Sequence, residues 1–418
     1  MVYVLDFYGQ PLMPTSRHGK VRHLLKSGKA KVVKKCPFTI KLLYKTTNYT
    51  QDLTLGVDTG SSHVGFAVCN PTKSEIVYSS DVQLRNDIKN RMDDKRCYRK
   101  SRRSRKTRYR KARFLNRKNS IRKDRFSPTM VSKINSHIRE IEFIKSILPI
   151  TKLVLELGTF DCHLMKNKDI PFNRHWGYQK GPNYGFESTK AKVLNRDNYT
   201  CQCCKTKKGI LHVHHIIYRS NGGSDKMENL ITLCENCHKK LHDGKLKDFE
   251  AKLSGKKKGT LKHATQMNSI RIQLLKEYPE AIETFGYITK ANRQLLNISK
   301  DHYIDACVIA SGGNIFTNNE KTFYKKVVGK ENRSLSIFRK IPISITKSKI
   351  YGFNRYDKVN YDGNNYFIYG RSNTGPFIIV DIFGNKPQIG NKKTLGSINP
   401  KYLIKINSRK SVICDKKR

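Results

Sequence analysis

Two Cys-x-x-Cys pairs, Cys201/Cys204 and Cys234/Cys237, constrain this chain more tightly than any other feature of it. Four thiolates so spaced can close a tetrahedral Zn²⁺ site, which pins both ends of the segment between them. That segment, 205–233, is 29 residues long, against roughly 15–20 in the usual zinc ribbon. The surplus carries LHVHHIIYRSNGG, with His214 and His215 side by side. A four-cysteine site uses no histidine, so the pair is either idle or does chemistry beside the zinc. Cys203, inside the first pair, reads as a bystander.

The remaining six of the eleven cysteines are scattered singly in apolar settings, as buried reduced thiols usually are. This favours a reducing compartment and a metal site over disulfides. No apolar run approaches the roughly 18 residues of a spanning helix, and the start MVYVLDFYGQ lacks a basic n-region. The expected location is cytoplasmic, with no membrane contact. Lysine and arginine outnumber the acids by 83 to 33, a formal charge of +50. A compact chain so charged repels itself unless a polyanion neutralises it; the expected partner is nucleic acid.

Residues 1–52 read as a small α+β unit whose helix, RHGKVRHLLKSG, stops near Gly28. LTLGVDTGSSHVGFAVC within 53–84 reads as a strand, a tight turn and a second strand. Residues 85–125 hold 20 Lys or Arg and 4 Asp; as one helix they would span about 60 Å. In 126–165, VSKINSHIREIEFIKSIL reads as an amphipathic helix and KLVLELGTFD as a strand internal to a sheet. Residues 166–186 and 246–259 read as linkers around 187–245. Residues 260–345 give a long helix, a strand around ETFGYIT and the helix DHYIDACVIASG. Residues 346–418, short aromatic strands between DGNN, SNTG and FGN turns, suggest a small β-barrel.

Within the cysteine window, LHVHH and LITLC form a hairpin-like segment, with Asn229 between and His238 just after the last cysteine. Hydrolysing a phosphodiester needs a base for water and a cation against the nonbridging oxygens. A neutral imidazole near pH 7 can serve as that base, and others can hold Mg²⁺ (or Mn²⁺). The order His, Asn, His resembles the HNH (ββα-metal) nucleases. The resemblance implies that His215 is the general base, that His214 and His238 are metal ligands, and that Asn229 orients the loop carrying the base. His212 and His242 read as structural.

Asp58 at the end of its strand, Glu156 near the end of KLVLEL, and His302 and Asp305 at i, i+3 on one helix face are far apart in sequence. Each alone is an ordinary turn or cap residue. Together they suit two divalent ions about 3.5–4 Å apart, held by carboxylates converging from several elements. GVDTGSSHVGFAV, LVLELGTFD and HYIDACVIA resemble the three segments of a RuvC-type, RNase H-like nuclease. The resemblance implies that Asp58, Glu156 and Asp305 bind metal, with His302 as a further ligand or a base. LELGTFD is the loosest match.

The order of these pieces resembles the IscB nucleases, transposon-encoded relatives of HNH-containing CRISPR effectors, and YVLDFYGQPLMPTS is similar to their N-terminal PLMP domain. The implied fold is an α/β multidomain chain. A split RuvC mixed sheet would hold an inserted HNH zinc domain and a long arginine-rich bridge helix, whose densest part carries Arg99, Arg102, Arg103, Arg105 and Arg108. A helix basic all round suits phosphates on several sides. The implied activity is RNA-guided double-strand cleavage by a monomeric ribonucleoprotein, HNH cutting the guide-paired strand and RuvC the displaced one. In that family the C-terminal region contacts guide RNA and a target-flanking motif. Two alternatives stand beside it: a protein-guided homing or junction-resolving endonuclease, which would purify free of RNA, and a non-catalytic RNA-binding relative, which should have lost some of these residues.

Overall fold

The computed structural model describes residues 1–104, 126–165, 170–173, 178, 184–219, 223, 225–246, 248–249, 253, 261–318, 320–329, 350–372, 375–389, 393–394, 396–408 and 411–416. The chain divides into two units, one of Met1–Gly158 with Met267–Arg418 and one of Thr159–Gln266. The second is thus an insertion into the first.

The first unit begins with β1 (Val2–Leu5), β2 (Pro11–Thr15), α1 (His18–Lys26), β3 (Ala30–Lys35) and β4 (Phe38–Leu42), a four-stranded sheet in the order β2-β1-β4-β3. Next come β5 (Thr54–Asp58), β6 (His63–Asn70), β7 (Glu75–Gln83), α2 (Ile88–Ser104), α3 (Pro128–Lys145) and β8 (Lys152–Glu156). In the inserted unit follow α4 (Thr189–Arg196), β9 (Leu211–His215), β10 (Leu230–Cys234) and α5 (Glu235–His242). The chain then returns through α6 (Lys262–Glu277), β11 (Ile282–Thr284), α7 (Gly286–Leu295), α8 (His302–Ala310) and β12 (Phe323–Val327). The last stretch holds β13 (Lys358–Tyr361), β14 (Asn364–Gly370), β15 (Ile378–Val380), β16 (Gln388–Ile389), β17 (Lys393–Thr394), β18 (Ile404–Asn407) and β19 (Val412–Lys416).

The main sheet has seven strands in the order β11-β8-β5-β6-β7-β12-β19. β5, β6 and β7 form an antiparallel meander, while β8 pairs parallel to β5 and β11 parallel to β8. Strand alternation divides β5 between two faces. Leu55 and Val57 enter a core with Ile134, Ile141 and Ile144 of α3 and Ile270 and Leu274 of α6. Gly56 and Asp58 belong to the opposite face, where Ala306 and Ala310 of α8 pack with Ala67 and Ile76. The glycines make that packing possible. A Cβ at Gly56 would lie 2.5 Å from the Ala310 nitrogen, and one at Gly65 would strike the His302 carbonyl. With no side chain at either place, α8 lies directly on β5 and β6, and its first turn reaches the end of β5.

Two expectations are corrected. ETFGYIT is not one strand: β11 ends at Thr284, and Phe285 caps α7, which begins at Gly286. The C-terminal strands, among the described residues, form an open four-stranded sheet, β15-β14-β13-β18, and a two-stranded ribbon, β16-β17. β19 leaves them to pair antiparallel with β12 in the main sheet. Its Ile413 still packs with Phe367 and Ile382, so one strand serves both cores and no break appears in the sequence. Next to it, the Sγ atoms of Cys36 and Cys414 lie 3.0 Å apart, joining the N-terminal sheet to the last strand.

Buried under the β5 end, His137 of α3 bonds the Lys133 carbonyl through Nδ1 (2.8 Å). Burial holds its pKa down at about 4, against roughly 6.5 in the unfolded chain. The folded state therefore keeps this imidazole neutral, and its contribution to stability is complete above about pH 6.5 and lost as pH falls toward 4. The expected loss is on the order of 3 kcal/mol across that window. Urea unfolding at pH 7 and pH 4.5 should show a steeper decline for the wild type than for His137→Gln. Equal declines would remove this histidine from the acid sensitivity.

Candidate active sites

In the inserted unit, β9 and β10 pair with His214 opposite Ile231 and His215 opposite Leu230. Arg196 and Asp197 at the end of α4 tie this hairpin down. Arg196 donates to the Met227 and Leu230 carbonyls (2.6 and 2.9 Å), and the Thr232 N–H donates to Asp197 (3.0 Å). The Sγ atoms of Cys201, Cys204, Cys234 and Cys237 all lie within 4.8 Å of one another, and all but Cys204 are buried. Zinc–sulfur bonds of about 2.3 Å imply sulfurs about 3.8 Å apart; Cys204 and Cys234 stand at 3.7 Å. Burial alone would raise the Cys201 thiol, but the backbone N–H groups of Cys204, Cys234 and Cys203 outweigh it and bring it to about 7. The donor set fits Zn²⁺ as a structural ion, with α5 launched directly from its last two ligands.

The second group in this unit is His214, His238 and His242, with one ring nitrogen from each within 4.8 Å of the others. His238 Nε2 and His242 Nε2 face each other at 3.3 Å, a geometry that a cation between them would satisfy. Burial, then the neighbouring His238, His242 and His215, push the His214 pKa down to about 4, and burial lowers His238 as well. Neutral imidazoles are the form that ligates metal. His242 was expected to be structural, and the structure instead brings it into this group. The signal lay in the spacing: His238 and His242 are i, i+4 and share one face of α5. His212 stacks on His238, rings 5.1 Å apart.

His215 points elsewhere. Its Nε2 lies 2.7 Å from Asp225 Oδ1, which also accepts from Arg219 (2.8 Å). Asp225 was not foreseen from the sequence. Its carboxylate assigns the proton to Nε2 and leaves Nδ1 as the acceptor. Asn229 is buried, takes the Ile217 N–H on Oδ1 (2.9 Å) and donates from Nδ2 to the Ile217 carbonyl (3.0 Å). It thereby clamps the backbone two residues beyond His215.

In the other unit, Asp58 and Glu156 are direct partners at the ends of the parallel strands β5 and β8. His302 Nδ1 lies 2.6 Å from Asp58 Oδ2, and Arg293 Nε lies 2.9 Å from Asp305 Oδ1. Burial, then the Asp58 and Asp305 charges, raise Glu156 to about 7, with the nearby Thr289 pulling the other way. Burial and Asp58 raise Asp305, while the hydrogen bond to Asp58 raises His302. Glu156 Oε2, Thr289 Oγ1, Arg293 Nε and Asp305 Oδ1 are all buried without an aligned hydrogen-bond partner among the described residues. The three carboxylates are not drawn to the 4.8 Å spacing of the other two clusters. Their mutual repulsion and the unpartnered Glu156 Oε2 fit a divalent cation, which would supply the missing partner. Arg293, Thr289 and His63, whose ring stacks on His302 at 5.8 Å, were missed.

Of the basic run, α2 is described to Ser104, with Arg99 exposed. Arg105 and Arg108 lie outside the described residues, as do the side chains of Arg102 and Arg103. No described helix is long and apolar enough to cross a membrane.

Comparison with known proteins finds two family matches along the chain. Residues 2–181 match the family model described as RRXRR protein, and 201–244 match that of HNH endonuclease. Anaredoxin from Nostoc sp. is 39% identical over 69 residues, 16% of this chain and 90% of the relative. The type IV methyl-directed restriction enzyme EcoKMcrA of Escherichia coli (strain K12) is 36% identical over 64 residues, 13% of this chain and 23% of that enzyme.

Proposed function

We propose that this chain, whose residues 201–244 match the HNH endonuclease model, is an RNA-guided, Mg²⁺-dependent DNA endonuclease of the IscB type, with two centres that each cut one strand. The observation that carries the reading is the insertion: along the chain, the HNH unit interrupts a sheet fold that has a carboxylate cluster of its own. The meander β5-β6-β7 with β8 and β11 added parallel beyond β5 is the strand order of an RNase H-like sheet and supports the RuvC reading. Duplex DNA has antiparallel strands, which two unlike centres can cut without dimerisation. The +50 charge and the basic run at 85–125 suit a large bound RNA.

At the HNH centre, His214, His238 and His242 would hold Mg²⁺, which when bound neutralises charge at the nonbridging oxygens of the scissile phosphate. His215 Nδ1 takes the proton of the attacking water, and Asp225 holds the resulting imidazolium through Nε2. The water oxygen bonds to phosphorus as the bond to O3′ breaks, and O3′ takes a proton from solvent, leaving a 3′-hydroxyl and a 5′-phosphate. Asn229 keeps the 216–217 backbone, and so the base, in place. At the sheet centre, Asp58, Glu156 and Asp305 would hold cations, with His302 oriented by Asp58.

A second reading is favoured by the likeness to a restriction enzyme, a class that reads DNA itself. Nucleic acid stripped from the natively purified protein decides between them. The expected result is one defined RNA with a variable segment that directs Mg²⁺-dependent cutting of a matched plasmid. Cutting that is indifferent to ribonuclease, with no discrete RNA recovered, would leave the protein-guided enzyme.

A further inference from the structure

We propose that Phe285 and Tyr287, on the rim of the carboxylate cluster, form a stacking platform for an unpaired DNA base flanking the phosphate cut there. The inference rests on reading that cluster as a nuclease centre. The two rings are parallel, 8° apart in plane with centroids 6.0 Å apart, and Tyr287 is 73% exposed. That exposure leaves much of the Tyr287 ring free to meet a base. The backbone between the rings adjoins the cluster: a Cβ at Gly286 would lie 3.0 Å from Glu156 Oε1. Along the same helix, Thr289 acts on Glu156 and Arg293 on Asp305. Lys290 is exposed on it, and Lys300 acts on both Glu156 and Asp305.

An aromatic face with cations beside a carboxylate cluster matches the needs of single-stranded DNA. The cations take the phosphates, the ring takes a base, and the carboxylates with their ions take the phosphate to be cut. Stacking does not depend on which base is present, as suits an enzyme whose target is chosen by pairing elsewhere. A duplex offers no free base face, so the platform selects a separated strand. DNA rather than RNA is the occupant because the adjoining centre is read as cutting DNA.

The test is photocrosslinking of the full-length protein, in an Asp58→Ala background that cannot cut at this centre, to a single-stranded oligodeoxythymidine carrying one 5-iodouracil. Irradiation should attach the probe to the peptide containing Tyr287. Tyr287→Ala should lower that yield roughly 5- to 150-fold, Tyr287→Phe should restore it, and attachment to the basic run should be unchanged. With Asp58 restored, Tyr287→Ala should raise KM for one strand only. No adduct on this peptide, or an equal yield from Tyr287→Ala, overturns the platform; preference for the matching oligoribonucleotide overturns the choice of DNA. The parent reading fails separately, if Asp58→Ala still cuts both strands.

Discussion

Replacing His215 with alanine should slow cleavage of one DNA strand by about 10²- to 10⁴-fold, the usual contribution of a positioned general base, while the other strand is cut as before. The variant should fold. His215 is half-buried and its one described side-chain partner is Asp225, which Arg219 also engages. The hairpin is held by other means: the four cysteines, the Arg196 and Asp197 contacts and the Asn229 clamp. Zinc content and circular dichroism should therefore match the wild type. Strand-resolved nicking of supercoiled plasmid reads the effect, with Asp225→Asn giving a smaller loss because the base remains but its tautomer is less firmly held. Equal cutting of both strands by His215→Ala would take the role of base from this residue.

Legibility from the sequence followed the range of the interactions. The zinc cysteines, the hairpin and α8 were readable because each is fixed by local spacing. The convergence of Asp58, Glu156 and Asp305 was readable only through resemblance, since nothing local joins a strand end to a helix more than 200 residues on. Partners that work across the sheet left no signal: Arg293 is an ordinary basic residue of α7 until that helix is laid beside Asp305. The helix itself was hidden by β-branched and aromatic residues in GYIT, whose strand propensity is only a weak guide to local structure. His242 belongs to no motif of its own, and only its i, i+4 spacing from His238 on α5 signals a shared role.

Asp58→Ala is expected to do the converse of the histidine variant, removing cleavage of the second strand while HNH cutting continues. Cation binding to transferring phosphates contributes several kcal/mol, at one decade of rate per 1.36 kcal/mol. The loss should thus reach on the order of a thousandfold or more. Loss of activity should not come with loss of stability. Asp58 is buried beside Glu156 and Asp305, and its charge is among the causes that raise both of their pKa values. Removing one of three mutually repelling carboxylates relieves that repulsion but also breaks the 2.6 Å bond to His302, so without added divalent ions the melting temperature should change little. With Mg²⁺ the wild type should melt higher, because only the wild type gains stability from binding. Melting curves with and without Mg²⁺ therefore separate a metal centre from a merely structural cluster. A variant that melts lower than wild type under both conditions, with the second strand still cut, would make Asp58 a structural residue. The expected result is a protein about as stable as wild type without the ion, less stable with it, and able to nick one strand only.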